Sequence, residues 1–150
     1  MKILATFDAR DYEGTTGIYE KYSIRAIIVR DGRLAMQCSQ EGEYKIPGGG
    51  QEPGENYEQT LIREVKEETG LDASQAEGGY LFTYKRENPG EGDNYFVDVY
   101  RFVMDVEDKD LKLQTEETDG YMFATLDQIK AFAAEGKFLH YDSIKKAFEF

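Results

Sequence analysis

Cysteine, histidine and basic side chains are all scarce in this chain, and each shortage closes off a class of function. There is one cysteine, Cys38, so no internal disulfide can form, which fits a reducing cytoplasm. Cys38 falls within an apolar strand pattern and reads as a small core residue. Lysine and arginine number 18 against 30 aspartates and glutamates, a net charge of −12 with a sequence pI of about 4.5. Such a balance opposes a broad footprint on a nucleic-acid backbone, which takes clustered cations. No run approaches the ~18 apolar residues of a membrane span. The opening MKILATFDARD lacks the apolar segment of a signal peptide. One histidine and one cysteine leave little for a protein nucleophile, and no Ser-His-Asp set is recognisable. His140, after Phe138-Leu139, reads as a capping or packing residue at a helix start.

What is present is a globular composition, 40% hydrophobic with 11 tyrosines and 9 phenylalanines, over a length of 150 residues expected to form one domain, 1–150. Alternation predicts strands over Lys2–Phe7, Tyr22–Arg30, Arg33–Ser39, Glu43–Ile46, Gly79–Arg86, Tyr95–Val106 and Gly120–Thr125, with a short piece at Leu111–Leu113. Asp31-Gly32 marks a hairpin turn. Leu126–Ala134 and Tyr141–Phe148 read as short amphipathic helices. These elements alone say α/β or α+β with antiparallel hairpins.

The chain is organised around Lys45–Leu71, KIPGGGQEPGENYEQTLIREVKEETGL. Gly48, Gly49 and Gly50 after Pro47 mark a loop able to approach a ligand closely. Pro53-Gly54 is a second turn. A helix should then start near Asn56, an N-cap with Gln59 as capping-box partner, and stop at Gly70. On a helical wheel Tyr57, Leu61 and Val65 form an apolar stripe, with Ile62 at its edge. Glu64, Glu67 and Glu68 share a sector of roughly 100° beside it. A solvated acidic face should point away from the stripe, as Lys66 does. Hard oxygen ligands converging at a Gly-rich loop are what Mg²⁺ or a similar divalent cation requires.

From Gly49 the spacing runs Gly, five residues, Glu55, seven residues, Arg63-Glu64-Val65, one residue, Glu67-Glu68, one residue, Gly70-Leu71. This resembles the Nudix box of the Nudix hydrolases (MutT-like members included), with every fixed position filled over 23 residues, about a sixth of the chain. The resemblance implies an α/β/α sandwich with a mixed β-sheet and a loop-helix-loop catalytic motif. It implies Glu67 and Glu68 as ligands of catalytic Mg²⁺ or Mn²⁺, and Glu64 as a ligand or a base that activates water. The Gly48 carbonyl would be a backbone ligand. Glu55 and Arg63 would form a structural salt bridge, with Gly49 and Gly70 shaping the loop. An acidic residue of a later loop, Glu117 in preference to Glu116, would complete the metal and catalytic set. Arg25 reads either as a surface residue or as a phosphate ligand, and Tyr44 either as core or as a base-stacking group.

The resemblance further implies hydrolysis of a nucleoside diphosphate linked to another moiety, by direct attack of water, in a monomer or homodimer acting on a small nucleotide. The substrate within that class stays open. The proline that marks ADP-ribose hydrolysis is missing, since Pro89 lies 19 residues past Gly70. The tyrosine that marks dinucleoside polyphosphates is missing too, with Tyr84 only 14 past Gly70. A nucleoside triphosphate is the default expectation. The alternatives are an ADP-sugar, dinucleoside polyphosphate or RNA-cap hydrolase, or a module that senses a nucleotide without cleaving it.

Overall fold

The computed structural model describes residues 22–87, 95–112 and 118–148. The expected strand at Lys2–Phe7, Leu113 and the acidic pair Glu116 and Glu117 lie outside them. Among the described residues six strands form one mixed sheet: β1 (Tyr22–Arg30), β2 (Arg33–Ser39), β3 (Tyr44–Lys45), β4 (Glu77–Arg86), β5 (Tyr95–Val103) and β6 (Thr118–Ala124). Their order is β3-β2-β1-β5-β4, with β6 on the other edge of β2. The β1–β5 pair is parallel and the rest are antiparallel. The described residues also form three α-helices: α1 (Tyr57–Thr69), α2 (Leu126–Ala134) and α3 (Tyr141–Ile144), the last continued as a 3₁₀ turn over Lys145–Phe148. Among the described residues no helix is long and apolar enough to cross a membrane.

Strand alternation builds the layers. Ile24, Ala26 and Ile28 of β1 meet Leu61 and Val65 of α1 on one face, with Phe102 and Phe123. Ile27 and Val29 pack on the opposite face against Ile129 of α2 and Ile144 of α3. This is the expected α/β/α sandwich. The Asp31-Gly32 turn takes φ of 49° and 71°, the two positive values of a type I′ hairpin.

Several elements differ from expectation: β3 is shorter than expected, and β6 begins two residues earlier, at Thr118. β5 ends at Val103, and Asp108–Asp110 forms a 3₁₀ turn where the chain leaves the sheet. Leu111 is not in a strand. β4 starts two residues early and carries a bulge between Tyr80 and Phe82, which shifts its register against β5. Cys38 is only half-buried at the end of β2.

One detail of the sheet positions the site. β1 and β2 pair only through Val29–Leu34 and Arg30–Arg33, then part. The Gly-rich loop enters the gap. Ala26 N–H donates to Pro47 O (2.8 Å), Ile24 N–H to Gly49 O (2.9 Å) and Gln51 N–H to Tyr22 O (3.0 Å), so the loop lies along β1 like a further strand.

Candidate active site

Local sequence sets the box helix. Asn56 and Gln59 form a reciprocal capping box, Asn56 Oδ1 accepting from Gln59 N–H (2.8 Å) and Gln59 Oε1 from Asn56 N–H (2.9 Å). Gly70 ends the helix in the left-handed region at φ 76°. Its buried stripe is Thr60, Leu61, Val65 and Thr69. Tyr57 and Ile62, at the margin of that stripe, are half-buried.

Gly48 is the joint between loop and helix. Its N–H donates to Glu68 Oε2 at 2.6 Å and its carbonyl accepts from Arg25 Nη1 at 2.5 Å. At φ 146°, a Cβ on Gly48 would stand 2.1 Å from the Ile24 carbonyl oxygen. The neighbouring Gly49 leaves the space in which the Glu64 carboxyl sits, 2.3–2.5 Å from where a Cβ would be.

Arg63 is the electrostatic hub. It forms a two-pronged pair with Glu55, Nε to Oε1 at 2.6 Å and Nη2 to Oε2 at 3.0 Å, and reaches the Gly50 carbonyl at 3.0 Å. Glu55 also accepts from Thr60 Oγ1 and from the Glu52 N–H. The Arg63 guanidinium holds the Glu55 carboxyl down at about pKa 2. The Glu55–Arg63 pair thus joins a loop residue to a helix residue. Spacing alone did not show that the same guanidinium also takes Glu64 Oε1 (2.9 Å) and Glu67 Oε2 (3.2 Å).

The three carboxylates thus share the expected helix sector but not a common focus. Glu64 and Glu67 turn to Arg63, while Glu68 turns to the Gly48 N–H. Among the described residues no three His, Cys, Asp or Glu side chains are arranged around a single ion position. Their chemistry nevertheless suits a divalent cation. Burial pushes the pKa of Glu64 and of Glu68 upward, and each is raised further by a neighbouring carboxylate, Glu67 and Glu64 respectively. Charged oxygens that are desolvated and mutually repelling are relieved by a hard cation.

Arg25 lies on the far face of β1, where its charge reaches Glu64 and Glu68 on one side and Tyr84 and His140 on the other. Tyr44 stacks on Phe132 with ring centroids 3.8 Å apart and planes 4° apart, so one ring face is already covered. His140 makes no side-chain capping bond at the start of α3. Burial, with Arg86 and Arg25 nearby, lowers its pKa to about 4, the signature of packing. Sequence reasoning passed over Gln37 and Tyr121, whose side chains face the box helix from β2 and β6. The available signal was a glutamine directly after the apolar run Leu34-Ala35-Met36 and before Cys38.

A pH prediction follows from Glu55. Its folded pKa is depressed, so its contribution to stability is present above the ordinary value of 4.5 and is lost as pH falls toward about 2. Glu55→Gln should therefore unfold more readily at neutral pH and show a flatter dependence of stability across that window. Denaturant melts at pH 7, 4.5 and 2.5 measure this, and parallel curves for the two proteins would contradict it.

Comparison with known proteins agrees with the geometry. The family model described as the NUDIX domain matches residues 21–145. The CTP pyrophosphohydrolase of Escherichia coli is 38% identical over 72 residues, 45% of this chain and 52% of that protein, so the match spans only about half of that relative. An uncharacterised Nudix hydrolase of Listeria innocua is 35% identical over 125 residues, covering 79% of this chain and 70% of its own. A NUDIX hydrolase structure from Nitrosomonas europaea superposes with a TM-score of 0.65 at 25% identity, covering 77% of this chain and 79% of that one. The Escherichia coli dihydroneopterin triphosphate pyrophosphohydrolase shares the fold, with a TM-score of 0.65 at 21% identity over 89% of this chain and 96% of that one. Box residues, sheet topology and family match coincide over the same part of the molecule: the chain belongs to the Nudix hydrolase family.

Proposed function

We propose that this chain is a Mg²⁺- or Mn²⁺-dependent pyrophosphohydrolase of a nucleoside triphosphate or related nucleotide, acting in a reducing compartment such as the cytoplasm. The observation that carries this reading is the pair of half-buried carboxylates, Glu64 and Glu68, raised in pKa beside the Gly48–Gly50 loop. The partial similarity to a CTP pyrophosphohydrolase supports the triphosphate class.

Glu67, Glu68 and the Gly48 carbonyl would hold the cation, with Glu64 as a further ligand or as the base that takes the water proton. A bound divalent cation neutralises phosphate oxygens and lowers the pKa of water. Arg25 would leave the Gly48 carbonyl to take a phosphate oxygen, and the free face of Tyr44 would stack a base. Glu55 and Arg63 keep the loop on the helix. Arg63 also limits how far Glu64 and Glu67 repel each other before a cation arrives.

Two measurements test this reading. Millimolar Mg²⁺ or Mn²⁺ should raise the melting temperature by mass action on the native state, and EDTA should reverse the rise. No shift at millimolar metal would argue strongly against a site. Glu117, six residues before Phe123, is the proposed acidic residue of the later loop. Glu117→Gln should weaken metal affinity or shift the rate–pH profile, while Glu116→Gln should do little. Equal behaviour of the two variants would remove Glu117 from the set.

A further inference from the structure

Strand pairing sets three polar residues in a row beside the box helix. Gln37 of β2 stands opposite Lys45 of β3 and opposite Tyr121 of β6. Residues directly opposite on paired strands share a face. Ala35 and Phe123, two positions from Gln37 and Tyr121, pack in the α1 core, so the row faces the α1 side of the sheet. Gln37 is 1% exposed, and among the described residues its Nε2 has no hydrogen-bond partner. The Tyr121 hydroxyl is likewise buried and without a partner among the described residues; it lies near Gln37 and Thr118 without the geometry of a hydrogen bond. Leaving a buried donor unsatisfied costs about 1–3 kcal/mol, and a leucine and a phenylalanine would avoid it. Two such donors at paired positions call for an acceptor.

Glu68 is the carboxylate whose charge reaches this row. After burial, its carboxylate is the strongest influence keeping the Tyr121 hydroxyl protonated, and the charge of Lys45 acts on Glu68 in turn. One Glu68 oxygen takes the Gly48 N–H, and among the described residues the other accepts no hydrogen bond. An ionised carboxylate has room for several donors. We infer that Gln37 and Tyr121 are positioning residues for Glu68: their N–H and O–H hold its carboxylate through one bound water, in the orientation in which it binds a divalent cation. The inference rests on the proposed role of Glu68 as a metal ligand. A polar pair behind a metal-binding carboxylate acts by fixing that carboxylate's charge and direction, and its loss weakens metal binding without touching the ion.

The test is the Mn²⁺ dissociation constant, read by electron paramagnetic resonance, together with the melting temperature of the metal-free protein. Wild type, Glu68→Gln, Gln37→Leu, Tyr121→Phe and the double variant Tyr121→Phe/Glu68→Gln are compared. Gln37→Leu and Tyr121→Phe should each weaken Mn²⁺ binding about tenfold, while the metal-free melting temperature holds or rises. Tyr121→Phe should add nothing once Glu68 is already glutamine. Tyr121→Phe removes a single oxygen and carries the test if Gln37→Leu does not fold. Binding within twofold of wild type in Tyr121→Phe, alongside clear weakening in Glu68→Gln, overturns the positioning role and leaves the metal reading standing. Equal binding by wild type and Glu68→Gln overturns both.

Discussion

Glu68→Gln is expected to lower turnover by two or more orders of magnitude while leaving the fold in place. The substitution keeps the size of a half-buried side chain and can still accept from the Gly48 N–H, whose 2.6 Å bond anchors the loop. What it removes is a negative charge that burial and the neighbouring Glu64 already make costly to keep. A charge retained at such cost should serve the reaction, and electrostatic contributions of this kind are worth about 3 kcal/mol in a barrier. Removing it should also remove part of the repulsion, so the metal-free variant should melt at or above the wild-type temperature. Glu55→Gln should do the reverse, costing less in rate and more in stability, because Glu55 bonds Arg63 and the loop backbone. Steady-state kinetics and melts of both variants measure the split. Equal rate losses would show that the division into chemical and structural carboxylates is wrong.

The second large effect is expected from Gly48→Ala. A Cβ would stand 2.1 Å from the Ile24 carbonyl oxygen and 2.9 Å from the Arg25 Cα, both backbone atoms of the central strand. Neither can give way cheaply, and φ of 146° is open essentially to glycine alone. The loop would have to leave β1, losing the bonds from Ile24 and Ala26 N–H and the one from Gly48 N–H to Glu68. A loss of about 3 kcal/mol or more is expected, and on the order of 6–12 °C in melting temperature for a domain of this size. Gly54→Ala is the control. Its φ of 88° is also unusual, but nothing lies within 4 Å of its Cβ position, so only about 1–3 kcal/mol of local strain applies. Calorimetry that ranked Gly54→Ala as the more damaging would contradict the close approach of loop and strand.

Much of this was legible in the residues because the determinants are local. Asn56, Gln59 and Gly70 specify where α1 begins and ends through bonds within a few positions of each other. The Asp31-Gly32 turn and the alternation of β1 act over similarly short range. The box spacing likewise encodes the Glu55–Arg63 bridge, eight residues apart on one loop-helix unit. What could not be read depends on register between distant strands. Which face Gln37 takes is fixed by β2 pairing with β6, some 80 residues on, and the bulge in β4 depends on its match to β5. The orientation of the carboxylates also escaped the helical wheel. A wheel gives the sector of a side chain but not the partner it turns to, and Arg63 and the Gly48 N–H win that competition. Arg25 could be read as a surface residue or a phosphate ligand but not as the donor to the Gly48 carbonyl, which requires the loop to lie along β1.

The most direct measurement is hydrolysis of a panel of nucleoside triphosphates and nucleoside diphosphate derivatives by wild type and Glu68→Gln, in ¹⁸O-labelled water with Mg²⁺ or with EDTA. Metal-dependent cleavage of a pyrophosphate linkage is expected, strongest within the triphosphates, with one labelled oxygen on a phosphate product. EDTA or Glu68→Gln should remove that cleavage. Tight nucleotide binding without release of any product from the panel would contradict the account and identify a sensing module instead.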